Sequence, residues 1–185
     1  MAKINPPQKV KPFVGILLSE LSLLEKCKEA LELSFGPSDI QSHIIPFSHS
    51  DYYDAEMGNK ISRLWISFSQ LQDPANLAEW KINSNTLEDI WTIKRSGKIL
   101  RQINIDPGYL SEAKIVLAST KNFSHRIYLG SGIYAEVTLT YRKSMGWQSF
   151  EWTYPDYKET SAVNFFTLLR NKYRQQCRET TPRAT

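Results

Sequence analysis

Apolar residues follow two rhythms along this chain, one of period two and one of three to four, and their order predicts the elements. Residues 13–18 (FVGILL) form a short apolar run behind Pro12 and read as a buried strand. Ser22-Leu23-Leu24-Glu25 fits a capping box that opens a helix, with Leu23, Leu24, Cys27, Ala30 and Leu31 on one stripe and Gly36-Pro37 ending it. Residues 40–47 and 63–68 read as the next two strands, separated by a polar, acidic loop or single helical turn over 48–58. Asp73-Pro74 starts a second helix, with Asp as the cap and Pro in the first turn. Asn83-Ser84-Asn85 weakens that pattern, which leaves one bent helix or two short ones. Strands follow over 97–105 and 113–120, and a last helix over 160–174 turns Val163, Phe166, Leu169 and Tyr173 inward. The order β-α-β-β-α-β over 12–105 is the ferredoxin-like pattern. Extended by a strand, an antiparallel hairpin and a C-terminal helix, it predicts an α+β fold with one mostly antiparallel sheet.

The hairpin carries the chemistry. Residues 125–129 and 133–142 alternate and are β-rich, with Gly130-Ser131-Gly132 between them. A three-residue loop sets Tyr128 opposite Tyr134, Ile127 opposite Ala135 and Arg126 opposite Glu136. One face then gathers Arg126, Tyr128, Tyr134, Glu136 and Thr138, while Ile127, Leu129, Ile133, Ala135, Val137 and Leu139 form a core face. A two-residue loop would set Arg126 against Val137 and mix charge with core. In this register His125 points away from Arg126, and joins it only if the strand begins after it or a bulge re-aims it. Two proline segments add carboxylates. Asp106-Pro107-Gly108-Tyr109 has the residues of a type II turn, and Tyr154-Pro155-Asp156-Tyr157 is a second proline turn.

Composition narrows the class. A chain of 185 residues with five Trp, nine Tyr and eight Phe is one well-packed domain, taken as residues 12–177 between flexible tails at 1–11 and 178–185. No apolar run approaches the roughly 20 residues of a membrane helix, and the basic start runs into prolines instead of a secretory signal. Cys27 and Cys177 stand alone, which suits a reducing cytosol. The net charge of +4 sits in the ends: residues 1–11 carry +3 and 170–185 carry +4, leaving a slightly acidic body. Ser96-Gly97-Lys98 lacks the upstream glycine and following hydroxyl of a phosphate-binding loop. Asp51, Asp54 and Glu56 match no calcium-loop spacing, so no metal is assigned to them. His49-Ser50-Asp51 cannot act in series, because adjacent residues on an extended chain point apart.

The segments FSHSDYYDAEMG, KINSNTLE, INIDPGYL, LASTKNFSHRIYLGSGIYAEVTLTYR and WTYPDY together resemble an uncharacterised bacterial family, domain-of-unknown-function family 4416. The resemblance runs from Phe13 to Tyr157 and implies a stand-alone cytosolic protein with no established activity.

The residues themselves support an enzyme or binder for a phosphorylated or otherwise anionic, nucleotide-like small molecule. Lys121, Arg126 and Lys81 would hold the anion, with Tyr128, Tyr134 and Asp156 around it. His125 would move a proton, and Asp106, Glu136 or Asp156 would orient it or hold Mg²⁺. Two alternatives stand beside this: a protein-interaction module built on exposed aromatics, and an RNA-associated protein using the basic C-terminal helix.

Overall fold

The computed structural model describes residues 3–49, 53–95 and 97–180. Ser50 and Asp51 of the acidic loop, and Ser96, lie outside the described residues. The architecture is α+β: a mostly antiparallel open sheet of nine strands with helices on both faces.

Strand β1 (Lys11–Leu18) is buried along its whole length and lies at the middle of the sheet. A 3-10 turn leads into α1 (Leu24–Phe35), then β2 (Ser38–Gln41) and β3 (Ile45–Phe47). The helix has no side-chain cap hydrogen bond, so the expected capping box is absent. The single strand expected over 40–47 is two, because Ser42 turns inward and its hydroxyl accepts Trp65 N–H at 2.9 Å. A short helix α2 (Asp54–Met57) precedes β4 (Ile61–Phe68). Asp73 caps the following 3-10 turn by accepting Ala75 N–H at 2.8 Å, and α3 (Leu77–Ile90) then runs unbroken through Asn83-Ser84-Asn85. The strand expected over 97–105 is split between a small hairpin, β5 (Thr92–Arg95) and β6 (Lys98–Arg101), and β7 (Ile103–Ser111). Next come β8 (Lys114–Ser119), β9 (Ile127–Gly130), β10 (Ile133–Arg142) and β11 (Gly146–Ser149). The chain closes with a 3-10 turn at Pro155–Lys158 and α4 (Thr160–Thr180), longer than expected.

The strand order is β11-β10-β8-β7-β1-β4-β2, with β3 on β4 and β9 on β10. Alternation sends Val14, Ile16 and Leu18 of β1 to a core beneath α1 and α3, and Phe13 to a second core beneath α4. That second core is aromatic, with Phe165 and Phe166 packed on Phe13 and Trp65 and Tyr157 packed on Phe166. Val10 and Lys11, expected in the flexible tail, are buried: Val10 forms an isolated bridge with Gln72, and Lys11 opens β1, its ammonium donating to Asp39 at 2.7 Å and Phe68 carbonyl at 2.8 Å.

Asp106-Pro107-Gly108-Tyr109 is not a turn but the centre of β7. Proline survives there because the sheet forks beside it. Pairing with β8 covers residues 108–111 and stops, while Ala118 and Ser119 pair with Ala135 and Tyr134 of β10. Pro107 therefore faces the gap, where no ladder donor is required. Gly108 sits at the crotch of the fork, where a Cβ would lie 2.5 Å from the Val116 carbonyl oxygen.

In the β9–β10 hairpin, Tyr128 faces Tyr134 and Ile127 faces Ala135, as the alternation requires, with an irregularity that pairs Gly130 with Ile133 at the tip. The expected core face fails at the outer strand. Ile127 is 73% and Leu129 43% exposed, because among the described residues no element covers β9.

Candidate functional site

The face of the sheet that bears Phe13 continues along β1 to Gly15 and Leu17, and its polar neighbours form the floor of a cavity of about 400 Å³. Register sets Leu17 between Arg63 of β4 and Asn104 of β7, and Gly15 between Trp65 and Asp106. Leu117 and Ser119 of β8 extend this floor across the fork. Lys81, Asn85 and Glu88 of α3 and Arg101 of β6 form one wall. Phe47, His49 and Tyr53 line a second side, and Lys121, Phe123, Tyr154 and Pro155 a third.

The fork explains the wall. A strand without a neighbour exposes its own N–H and C=O groups, which must find other partners when buried. Ile105 N–H donates to Glu88 Oε1 at 2.7 Å, and Lys81 Nζ donates to Ile105 carbonyl at 2.7 Å. Lys81 also reaches Asp106 Oδ1 at 3.3 Å, and Arg101 Nη1 donates to Glu88 Oε2 at 3.1 Å. Asn104 Nδ2 donates to Asp106 Oδ2 at 2.8 Å.

Burial pushes the Glu88 carboxyl above its ordinary value of 4.5, against the pull of Lys81 and the Ile105 amide. Its linkage has a definite sign. Above 4.5 and below its raised value, the folded state binds more protons than the unfolded chain, so Glu88's share of stability falls as pH rises through that window. In urea melts from about pH 4 to 8, wild type should therefore lose stability relative to Glu88→Gln as pH rises. A gap moving in wild type's favour would contradict this.

Arg63 is the least ordinary residue of the floor. Its side chain is 4% exposed, and Nε and Nη2 both bind Asp156 Oδ2, at 2.7 and 2.5 Å. The guanidinium lies over Trp65, Tyr157 and Phe47, 5.2, 5.3 and 5.9 Å from the ring centroids. Burial is the largest single effect and opposes its charge, but Asp156, Tyr157 and Asp106 together outweigh that and raise its pKa. Arg63 Nη1 and the Tyr157 hydroxyl are buried and find no hydrogen-bond acceptor among the described residues. Burial pushes the Tyr157 phenol upward, so it stays protonated and able to donate.

Of the residues expected from sequence, Lys81, Asp106, Lys121 and Asp156 line this cavity. His125, Arg126 and Glu136 do not line it but form a cluster beside it. Glu136 is buried, and its Oε2 accepts Arg126 Nε at 2.7 Å and contacts His125 Nε2 at 3.1 Å. His125 precedes β9, so strand alternation does not hold it on the opposite face. Its ring is stacked between Phe123 and Trp152, with centroids 6.0 and 5.0 Å away. Arg126 connects the cluster to the cavity by donating to Ser119 Oγ at 2.8 Å and Tyr154 Oη at 2.7 Å. Tyr128 and Tyr134 pair with each other on the hairpin, apart from the cavity.

Sequence reasoning missed Arg63, Glu88, Arg101 and Asn104. The signal for two of them is alternation: Arg63 interrupts an apolar strand, and Asn104 shares its face with Asp106. No group of three or more His, Cys, Asp or Glu placed to hold a metal ion occurs among the described residues. Among them, no helix is long and apolar enough to cross a membrane.

Residues 8–173 match the family model described as "Domain of unknown function (DUF4416)". No curated protein and no solved structure matches the chain.

Proposed function

The chain belongs to the domain-of-unknown-function family DUF4416, and from its cavity we propose that it binds a small anionic molecule, phosphorylated or carboxylated. The observation that carries this is Arg63: a buried guanidinium on the cavity floor with one nitrogen that finds no acceptor, beside a Tyr157 hydroxyl whose proton finds none either. Buried donors without acceptors are uncommon in folded proteins, and an anion's oxygens supply what they lack. Lys81, Arg101 and Lys121 add positive charge, while Phe47, Tyr53, Phe123 and Tyr154 give the apolar wall usual in small-molecule sites of this volume. An aromatic wall beside cations suits a nucleotide-like ligand. Turnover, if it occurs, would draw on His125 and Glu136 at the rim. Mg²⁺ would arrive with the ligand's own oxygens, since Asp106, Asp156 and Glu88 are already engaged by Lys81, Arg63 and Arg101.

The cavity is favoured over the C-terminal helix as the anion site. Arg170 and Arg174 of α4 turn to Glu112, and Arg170 lies 3.6 Å from the Tyr141 ring centroid. For the fold, the finer reading is ferredoxin-like. The order β7-β1-β4-β2, with α1 and α3 as crossovers and antiparallel neighbours throughout, supports it. A cytosolic setting agrees with two cysteines that join no disulfide.

The test is a thermal-shift panel of inorganic phosphate, sugar phosphates, nucleotides and small carboxylates. A ligand at about a hundred times its Kd should stabilise the protein by about 2.7 kcal/mol, and the shift should shrink in Lys121→Gln. No shift with any member refutes the proposal.

A further inference from the structure

Resting on the anion reading above, the geometry points to a narrower ligand class: we infer that the cavity takes a compact zwitterion, an anion that also carries an ammonium group. The first support is charge. Arg63, Lys81, Arg101 and Lys121 line the cavity, but so do Glu88, Asp106 and Asp156. The lining is therefore close to balanced, and a highly charged anion such as a free polyphosphate would meet three carboxylates as well as its cations. A ligand of low net charge meets no such penalty.

The second support is that one of these carboxylates is open. Glu88 and Asp156 side chains are 5% and 3% exposed and lie against Lys81 and Arg63, whereas Asp106 is 27% exposed. Asp106 receives one hydrogen bond on each oxygen, the longer of them 3.3 Å from Lys81. A carboxylate can accept about four, so it has room for an ammonium's donors.

The third support is spacing. Asp106 lies directly across from Gly15 in the β1–β7 ladder. A Cβ on Gly15 would stand 2.8 Å from the Tyr157 hydroxyl and 3.0 Å from Arg63 Nη1. Facing Cβ positions in adjacent strands are about 5 Å apart. The donors that lack acceptors and the open carboxylate thus lie about one strand spacing apart, which fits opposite charges a few bonds apart. The missing side chain of Gly15 is what lets those donors close onto β1 beside Asp106.

The experiment compares matched pairs by titration calorimetry at fixed ionic strength: O-phosphoethanolamine with ethyl phosphate, and β-alanine with propionate. The amino-bearing member of at least one pair should bind about ten-fold or more tightly than its partner. Asp106→Asn should bring the amino-bearing member to the affinity of its amine-free partner in the same variant. The wild-type comparison decides the matter even if the variant folds poorly. Equal binding of both members, in every pair that binds, overturns the zwitterion inference and leaves the anion reading standing. No binding by any of the four also overturns the zwitterion inference, and the anion reading is then decided by the thermal-shift panel.

Discussion

Arg63→Ala should cost about 3–5 kcal/mol of folding stability, because it leaves Asp156 buried and uncompensated. The two side chains are 4% and 3% exposed and joined through two guanidinium nitrogens, so little solvent screens the loss. The packing loss adds to this, since three rings rest on the guanidinium. Removing both charges together is a different matter. Arg63→Met with Asp156→Leu should be less destabilising than Arg63→Ala alone, because a buried pair replaced by apolar groups leaves no orphaned charge. Urea unfolding of the single and double variants measures this. A cost below about 1 kcal/mol for Arg63→Ala would mean that the pair is solvated and the cavity floor is not as described.

Gly108→Ala should cost about 3 kcal/mol, at the upper end of overpacking effects. The added methyl would lie 2.5 Å from Val116 carbonyl oxygen, 2.7 Å from Leu117 Cδ2 and 2.8 Å from Phe13 Cζ. The first of these is backbone of the paired strand and cannot rotate aside, and the last is a fully buried ring. A comparison separates crowding from backbone strain. At Gly130, φ is +114° and a methyl would meet no atom within 4 Å, so Gly130→Ala carries conformational cost alone, about 1 kcal/mol. Equal losses at the two sites would show that Gly108 is not tightly enclosed.

Much of the fold was legible because period-two and helical spacing report burial directly. The Tyr128–Tyr134 pairing, the Asp73-Pro74 helix start and the inward Phe166, Leu169 and Tyr173 of α4 all follow from local pattern, whereas Val163 is half-buried and Ala162 and Phe165 take its place in the core. The errors share a cause: local chemistry was overruled by distant partners. Asp106-Pro107-Gly108-Tyr109 has every residue of a turn, yet Phe13 and Val116 hold it extended. Ile127 and Leu129 have every mark of core residues, yet β9 is an outer strand with nothing above it. The cavity was legible in part. Lys81, Asp106, Lys121 and Asp156 came from residue type and turn position, whereas Glu88 serves the backbone of a strand 17 residues away, which no periodicity reveals.

The fork in the sheet also governs how firmly the cavity keeps its shape. Because Lys81 and Glu88 grip both polar groups of Ile105, they act as a counterfeit strand. The helix bearing them is latched to one peptide unit, and sliding it by a single residue would undo both catches at once. The width of the hollow is thus gauged by main chain, much as a mortise is gauged by its tenon, and a guest would find its seat already cut.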